Sequence, residues 1–251
     1  MSLEERYKSE KSKWDEIARK NSENLEILED GENFHRYAAE NSELPGISEF
    51  LGNLEGQHLL ELGCGSGKMA VLLAKSGANV TAFDLSPVSV QTARQFAALN
   101  NTDIDVAVAS GEQLPFANES FDIIFGKSIL HHLIINLGRQ DIYRVLKRGG
   151  MAVFVEPLGM NPVLTFARKY VPYHHKHPVG VDQPLTYGDI RAWTHEFRSV
   201  KFREVELLSM VERAFGWDTK FILLRKLDKF LLKNIPFLRR FCRYVVIYIN
   251  K

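Results

Sequence analysis

The chain has 251 residues, 45% of them hydrophobic and 25% charged, with a formal net charge of +1. That length suits one α/β domain with a sizeable core, or one domain with an appended cap, and the balanced charge offers nothing global for nucleic acid. Two cysteines and no apolar run of ~18 residues exclude a disulfide scaffold and a helical membrane span, and point to a reducing cytoplasm.

Residues 1–40 are polar, with eleven acidic and seven basic side chains. Trp14, Ile17 and Ala18 share one helical face, and so do Leu25 and Leu28. The segment reads as an N-terminal helical cap, ahead of a main domain at 41–251. Next come an apolar run, Leu59-Leu60-Glu61-Leu62, then Gly63-Cys64-Gly65-Ser66-Gly67, and then a helical stretch from Met69 to Lys75. Strand, glycine turn and helix in that order form a βα unit whose loop lets a ligand approach the backbone closely. A phosphate-cradling P-loop is excluded, because Leu62 stands where its first glycine belongs and Met69 follows Lys68. A dinucleotide turn has a formal match counted from Gly65 to Ala70, yet Glu61 is an anion beside the place a pyrophosphate would occupy.

The second strand closes Val80-Thr81-Ala82-Phe83-Asp84, with Asp84 twenty-one residues after Gly63. An acid at that distance stands at a strand tip, where it can accept from two ribose hydroxyls. Ser86-Pro87 is a helix start, a hydroxyl N-cap followed by proline at the first helical position, and the helix runs to about Asn100. A third strand covers 104–109, a loop 110–116, and a fourth strand 120–125. Gly126 to Leu133 leads out of it through His131 and His132. Ile142 to Leu146 read as helical, Lys147-Arg148-Gly149-Gly150 as a turn, and Met151 to Glu156 as a fifth strand.

Beyond Pro157 lies a long loop with one short helix near Val163–Tyr170 and the cluster Tyr173-His174-His175-Lys176-His177. Thr186-x-x-Asp189 is a capping box opening another helix. A sixth strand covers 200–208 and a seventh 244–249. Residues 158–198 and 210–240 then stand as insertions on the acceptor side. Within the second, Leu223, Leu227, Phe230 and Leu231 share a helical face with lysines and arginines beside it, so 220–233 is a basic amphipathic helix and 220–240 a candidate membrane contact. Such a helix either docks on its own domain or contacts an anionic membrane.

Glu61-x-Gly63-x-Gly65-x-Gly67 resembles motif I of the class I S-adenosylmethionine-dependent methyltransferases. The block Ser110-Gly111-Glu112-Gln113-Leu114-Pro115-Phe116, followed by Ser120-Phe121-Asp122, is similar to that family's segment after strand three. The turn at 147–150 and the strand ending Glu156-Pro157 complete a match from about 57 to 157, of the small-molecule, ubiquinone-biosynthesis type. The resemblance implies a three-layer αβα, doubly wound, seven-stranded sheet of order 3-2-1-4-5-7-6. In it strand seven is antiparallel, helices precede the first strand, and a helical insertion precedes strand seven. It implies S-adenosyl-L-methionine as cofactor, held by Glu61, Gly63, Cys64, Gly65, Gly67, Asp84, Leu85, Ser110, Gly111, Glu112 and Lys127. Ser110 departs from the family's usual Asp.

The implied reaction is methyl transfer to oxygen or carbon of a small molecule, since Gly126-Lys127-Ser128-Ile129 replaces the Asn/Asp-Pro-Pro-Tyr/Phe tetrapeptide of amino-methylating enzymes. A homologue that binds the cofactor for another reaction, and a membrane- or partner-binding module, are the alternatives. Candidates for a base are His131, His132, His174, His175 and His177, one at most acting, together with Glu156. No metal is assigned. Extra N-terminal helices cover the cofactor mouth in that family, so residues 1–40 are either a mobile cover there or a helix pair packed on the flank.

Overall fold

The computed structural model describes residues 3–22, 25–170, 183–215 and 221–251. Three helices, α1 (Leu3–Ser22), α2 (Phe34–Glu40) and α3 (Ile47–Leu51), precede the first strand. The remaining elements alternate. They are β1 (His58–Leu62), α4 (Lys68–Ala74), β2 (Asn79–Asp84), α5 (Pro87–Leu99), β3 (Asp105–Val108), β4 (Phe121–Lys127), α6 (Ile135–Val145) and β5 (Leu146–Pro157). After them come α7 (Pro162–Tyr170), α8 (Tyr187–Thr194), β6 (Ser199–Val205), α9 (Ile222–Asn234) and β7 (Tyr244–Asn250), with short 3-10 turns between some of them.

The seven strands form one sheet of order β3-β2-β1-β4-β5-β7-β6. Strands β1 to β5 pair in parallel, and β7 runs antiparallel to both β5 and β6. Both faces are covered, and strand alternation divides the apolar residues between them. Leu59, Ile123, Phe125, Val153 and Val246 join Phe34, Leu72 and Val90 on one face. Leu60, Leu62, Ile124, Phe154 and Ile247 join Ile142 and Trp193 on the other.

Local chemistry sets the helix ends. Ser86 Oγ accepts from Ser89 N at 3.0 Å with Pro87 next in line, and Thr186 and Asp189 form a reciprocal capping box. Gly67 caps α4 at φ +84°, and a Cβ there would lie 2.8 Å from the Ala93 backbone, so glycine lets α4 and α5 close together above the sheet.

Some boundaries depart from the sequence reading. Helix α6 begins at Ile135 rather than near Ile142; Gly138, a poor helix former, hid its first turns, and it stands where a Cβ would strike the Trp193 ring at 2.7 Å. Strand β6 ends at Val205 rather than Leu208, because Glu206 adopts φ +62° and turns the chain out of the sheet. Within residues 1–40 the two helices are α1 and α2, so the second begins at Phe34 and not at the Leu25–Leu28 face. Leu25 and Leu28 follow α1 in non-helical chain packed near Phe96, with Leu28 N donating to Asn100 Oδ1 at 2.7 Å.

Strand β7 makes seven register pairs with β5, from Met151↔Asn250 to Pro157↔Tyr244, and seven more with β6. Its Val245, Val246 and Ile247 are completely buried. Deleting residues 243–251 is therefore expected to leave protein in the insoluble fraction, because two sheet edges and both core faces open together. A soluble, folded truncation on gel filtration would contradict that role for β7.

Candidate functional site

The strand order reverses between β1 and β4, and a crevice at the carboxyl ends of strands flanking such a point is where doubly wound sheets take ligands. A cavity of about 230 Å³ lies there. Of the residues singled out from sequence, Gly63, Gly65, Asp84, Leu85, Ser110, Gly111, Glu112 and Lys127 line it. Gly65 has φ +52° and would place a Cβ in open space, whereas a Cβ on Gly63 would hit Ile129 Cδ1 at 2.8 Å. The loop thus opens toward the cavity at Gly65 and closes against β4's exit at Gly63. Asp84 accepts from Gly65 N at 3.0 Å and from Ser86 N at 2.9 Å, fixing its carboxylate between loop and helix. Burial raises its pKa, and those two backbone donors offset part of the rise.

Glu61 does not line the cavity, and neither do Cys64 and Gly67. The resemblance implied that Glu61 helps to hold the cofactor. The structure places Glu61 on β1 beneath the glycine loop, 3% exposed, with Oε2 lacking a hydrogen-bond partner among the described residues. Burial first, and Asp84 second, push its carboxyl well above the usual carboxylate range. A folded-state pKa above the unfolded value means that Glu61 stabilises the fold below about 4.5, and that this contribution is lost as pH rises through the raised value. Thermal melts of ligand-free protein are expected to show stability falling from acid toward alkaline pH. Glu61→Gln should flatten that slope, and an unchanged slope would move its origin elsewhere.

Of the two readings of residues 1–40, α1 fits the cover over the cavity mouth, although the contacts that hold it were not foreseen. Tyr7, Glu10, Trp14, Ile17 and Ala18 line the cavity from above, and positions 7, 10, 14 and 17 form one helical stripe. The Trp14–Ile17–Ala18 face was visible in the sequence; its partner was not. Glu112 anchors the helix. Its carboxylate accepts from the Tyr7 hydroxyl, from Arg6 Nη1 at 3.3 Å and from Ile134 N. Arg6 also donates to the His132 carbonyl, and the Ser86 hydroxyl donates to Asp15. Glu112 therefore serves as a clasp for α1 as well as part of the wall. Ser110 Oγ, meanwhile, accepts from Glu112 N at 3.2 Å. Lys127 turns its ammonium to Glu43; burial lowers the lysine's pKa, but the charge and hydrogen bond of Glu43, with Tyr37 and Tyr244 nearby, together raise it.

Beside the cavity, Ser128 adopts φ +57° and carries the chain from β4 into a 3-10 turn at Leu130–His132. Glu156, completely buried at the end of β5, holds that turn. Its Oε1 accepts from Ile129 N at 2.9 Å and Leu130 N at 2.8 Å, and its Oε2 lies 2.6 Å from His131 Nδ1. A histidine facing a carboxylate through Nδ1 carries its proton there and leaves Nε2 as the basic nitrogen. His131 is 3% exposed in its side chain, and its ring lies 4.0 Å from and tilted to that of His132, which lines the cavity and meets Trp14 edge-on at 5.2 Å. His174, His175 and His177 lie outside the described residues.

Residues 60–154 match the family described as a methyltransferase domain. The Bacillus subtilis protein named uncharacterized methyltransferase YodH is 28% identical over 162 residues, which are 64% of this chain and 66% of that protein. The ubiquinone biosynthesis O-methyltransferase of Brucella ovis is 31% identical over 99 residues, 39% of this chain and 40% of its own length. An S-adenosylmethionine dependent methyltransferase structure from Mesorhizobium loti superposes with TM-score 0.57 at 18% identity, over 85% of this chain and 100% of that one, a likeness of fold. Residues 60–154 thus match a methyltransferase domain, and the sheet order and the superposition give the chain the fold of the S-adenosylmethionine-dependent methyltransferases.

Proposed function

We propose that the protein transfers a methyl group from S-adenosylmethionine to oxygen or carbon of a small molecule. The observation that carries this reading is the pairing of Gly65 and Asp84 on one cavity, a loop open to close approach beside a fixed carboxylate. Asp84 would accept from the ribose hydroxyls, and Ser110 to Glu112 would border the adenine. The backbone leaving β4 at Lys127 and Ser128 would receive the ammonium. When bound, the cofactor supplies an electrophilic methyl carbon.

The chain's own tasks are to orient the acceptor, exclude water and take the acceptor's proton. Helix α1, clasped by Glu112, suits the exclusion of water, and residues 1–40 form the cap in this reading. For the proton, the Glu156 contact supports His131, which adjoins the cavity-lining His132. The carboxylate orients the imidazole, leaves Nε2 as acceptor, and would stabilise the imidazolium that forms. The name of the Brucella relative, an O-methyltransferase, favours a hydroxyl as the group deprotonated. Two buried free thiols, Cys64 and Cys242, suit a reducing compartment.

Incubating the protein with methyl-labelled S-adenosylmethionine and a fractionated cell extract tests the reading. Label should pass into a low-molecular-weight, extractable product. Tight binding of the demethylated cofactor with no labelled product would leave a cofactor-binding protein and remove the transferase.

A further inference from the structure

We infer that α9, with the 3-10 turn at Pro236–Phe241 and α7 beside it, forms a surface that docks on an anionic lipid bilayer. The inference stands apart from the proposed reaction. Helix α9 is turned opposite to what an amphipathic helix on its own domain requires. Its one buried residue is an acid, Asp228, whose carboxylate accepts from the backbone of Leu207, Leu208 and Ser209 at 3.1, 2.7 and 3.0 Å. Its apolar stripe points out: Leu223 is 77% and Phe230 62% exposed, with Leu227 between them at i+4. Docking on the domain, one of the two uses read from the sequence, is therefore achieved through a polar anchor and Arg225–Glu212, and the apolar face is left over.

Neighbouring segments extend that face. Ile235 and Phe237 follow α9 and are exposed, and Arg239 Nε reaches back to Leu232 O at 3.1 Å. Helix α7 is tied to the same turn by Asn161 Nδ2 donating to Phe241 O at 2.7 Å, and it exposes Val163, Phe166 and Tyr170. Monomer surfaces seldom carry this many large apolar side chains together unless something covers them.

Charge identifies the cover. Residues 161–170 and 221–243 together contain nine Lys and Arg and a single acid, the inward-facing Asp228, although the whole chain nets only +1. Lys226, Lys229 and Lys233 are exposed and form a strip alongside the Leu223–Leu227–Phe230 stripe, offset by one residue. An apolar stripe flanked by lysines matches the acyl boundary and the anionic headgroups above it. Topology adds direction. Helix α7 leaves the sheet at Pro157, and α9 lies between Val205 and Tyr244, which pair with one another at the carboxyl end of the parallel strands. The surface thus belongs to the end of the sheet that carries the cavity, so docking would bring the acceptor side to the bilayer.

The test is vesicle co-sedimentation of the full chain, with phosphatidylcholine alone and with about a third phosphatidylglycerol added. Binding is expected only to the anionic vesicles and should weaken between about 0.05 and 0.5 M salt. Lys226→Glu with Lys229→Glu and Lys233→Glu should lower the partition on the order of a hundredfold, and Leu223→Asp roughly tenfold. All four positions are exposed, so unchanged thermal melts should accompany the loss. Arg148→Glu, at the opposite end of β5 with an 89% exposed side chain, should bind as wild type. Absence of binding to anionic vesicles overturns the inference, and so does equal binding by the triple variant. A dimer in lipid-free sedimentation velocity that Leu223→Asp dissolves would overturn it as well, making a second copy the occupant.

Discussion

Replacing Asp84 with alanine is expected to abolish measurable binding of S-adenosylhomocysteine by titration calorimetry while leaving a folded protein. Hydrogen bonds to an ionised acceptor are worth ~1.5–3 kcal/mol each, and two ribose hydroxyls on one carboxylate amount to a loss of about 10²–10⁴ in affinity. The same substitution also orphans Gly65 N and Ser86 N, so part of the effect could come from a collapsed loop. Asp84→Asn narrows the question, because it removes the charge and keeps an oxygen for Gly65 N, leaving only Ser86 N without its acceptor. It should melt near wild type and still bind at least tenfold more weakly, about the value of one charge-assisted bond. Burial raises the Asp84 pKa, so affinity should also fall as pH drops and the carboxyl takes a proton. Binding by Asp84→Ala within about threefold of wild type would remove the cofactor assignment.

His131→Ala carries the second large effect, a fall in turnover of about 10²–10⁴-fold at unchanged cofactor affinity, once an acceptor is in hand. Glu156→Gln keeps the volume and lets one amide oxygen serve the Ile129 and Leu130 N–H groups, but it no longer offers an anion to His131. Its turnover should fall in the same direction, by less. His132 meets Trp14 edge-on and lines the cavity, so His132→Ala should act mainly on KM. Wild-type turnover in His131→Ala would return the role of base to the histidines at 174, 175 and 177.

The run from 57 to 157 was legible because its signals are local. A strand, a glycine turn and a helix within twenty residues need no distant partner, and Asp84 is located by its spacing from Gly63. The clasp on α1 was not legible. Glu112 meets Tyr7 across 105 residues of chain, and neither position betrays the other. Lys127 and Glu43 are a second pair of that kind. The depth of Glu61 was not legible for a different reason. Alternation put it on the face shared with Leu59, under α4, while the loop after Leu62 carried the opening away from it. For α9 the period of the apolar residues was right, yet a period defines a stripe and not the side that faces the domain. One buried carboxylate, Asp228, decided that.

Strand β7 bears on how the chain acquires its shape during synthesis. Its neighbours, β5 and β6, leave the ribosome before it, and in the finished sheet it lies between them. Until residues 244–250 emerge, the apolar edge of β5 has no neighbour on that side, and Met151 must wait for Asn250. Pairings so far apart in sequence form slowly, because a long loop must close before any contact rewards it. The nascent protein therefore passes through an interval in which β1 to β5 can assemble while an unpaired edge faces the cell, the condition under which chaperones are engaged and strands pair with the wrong chain.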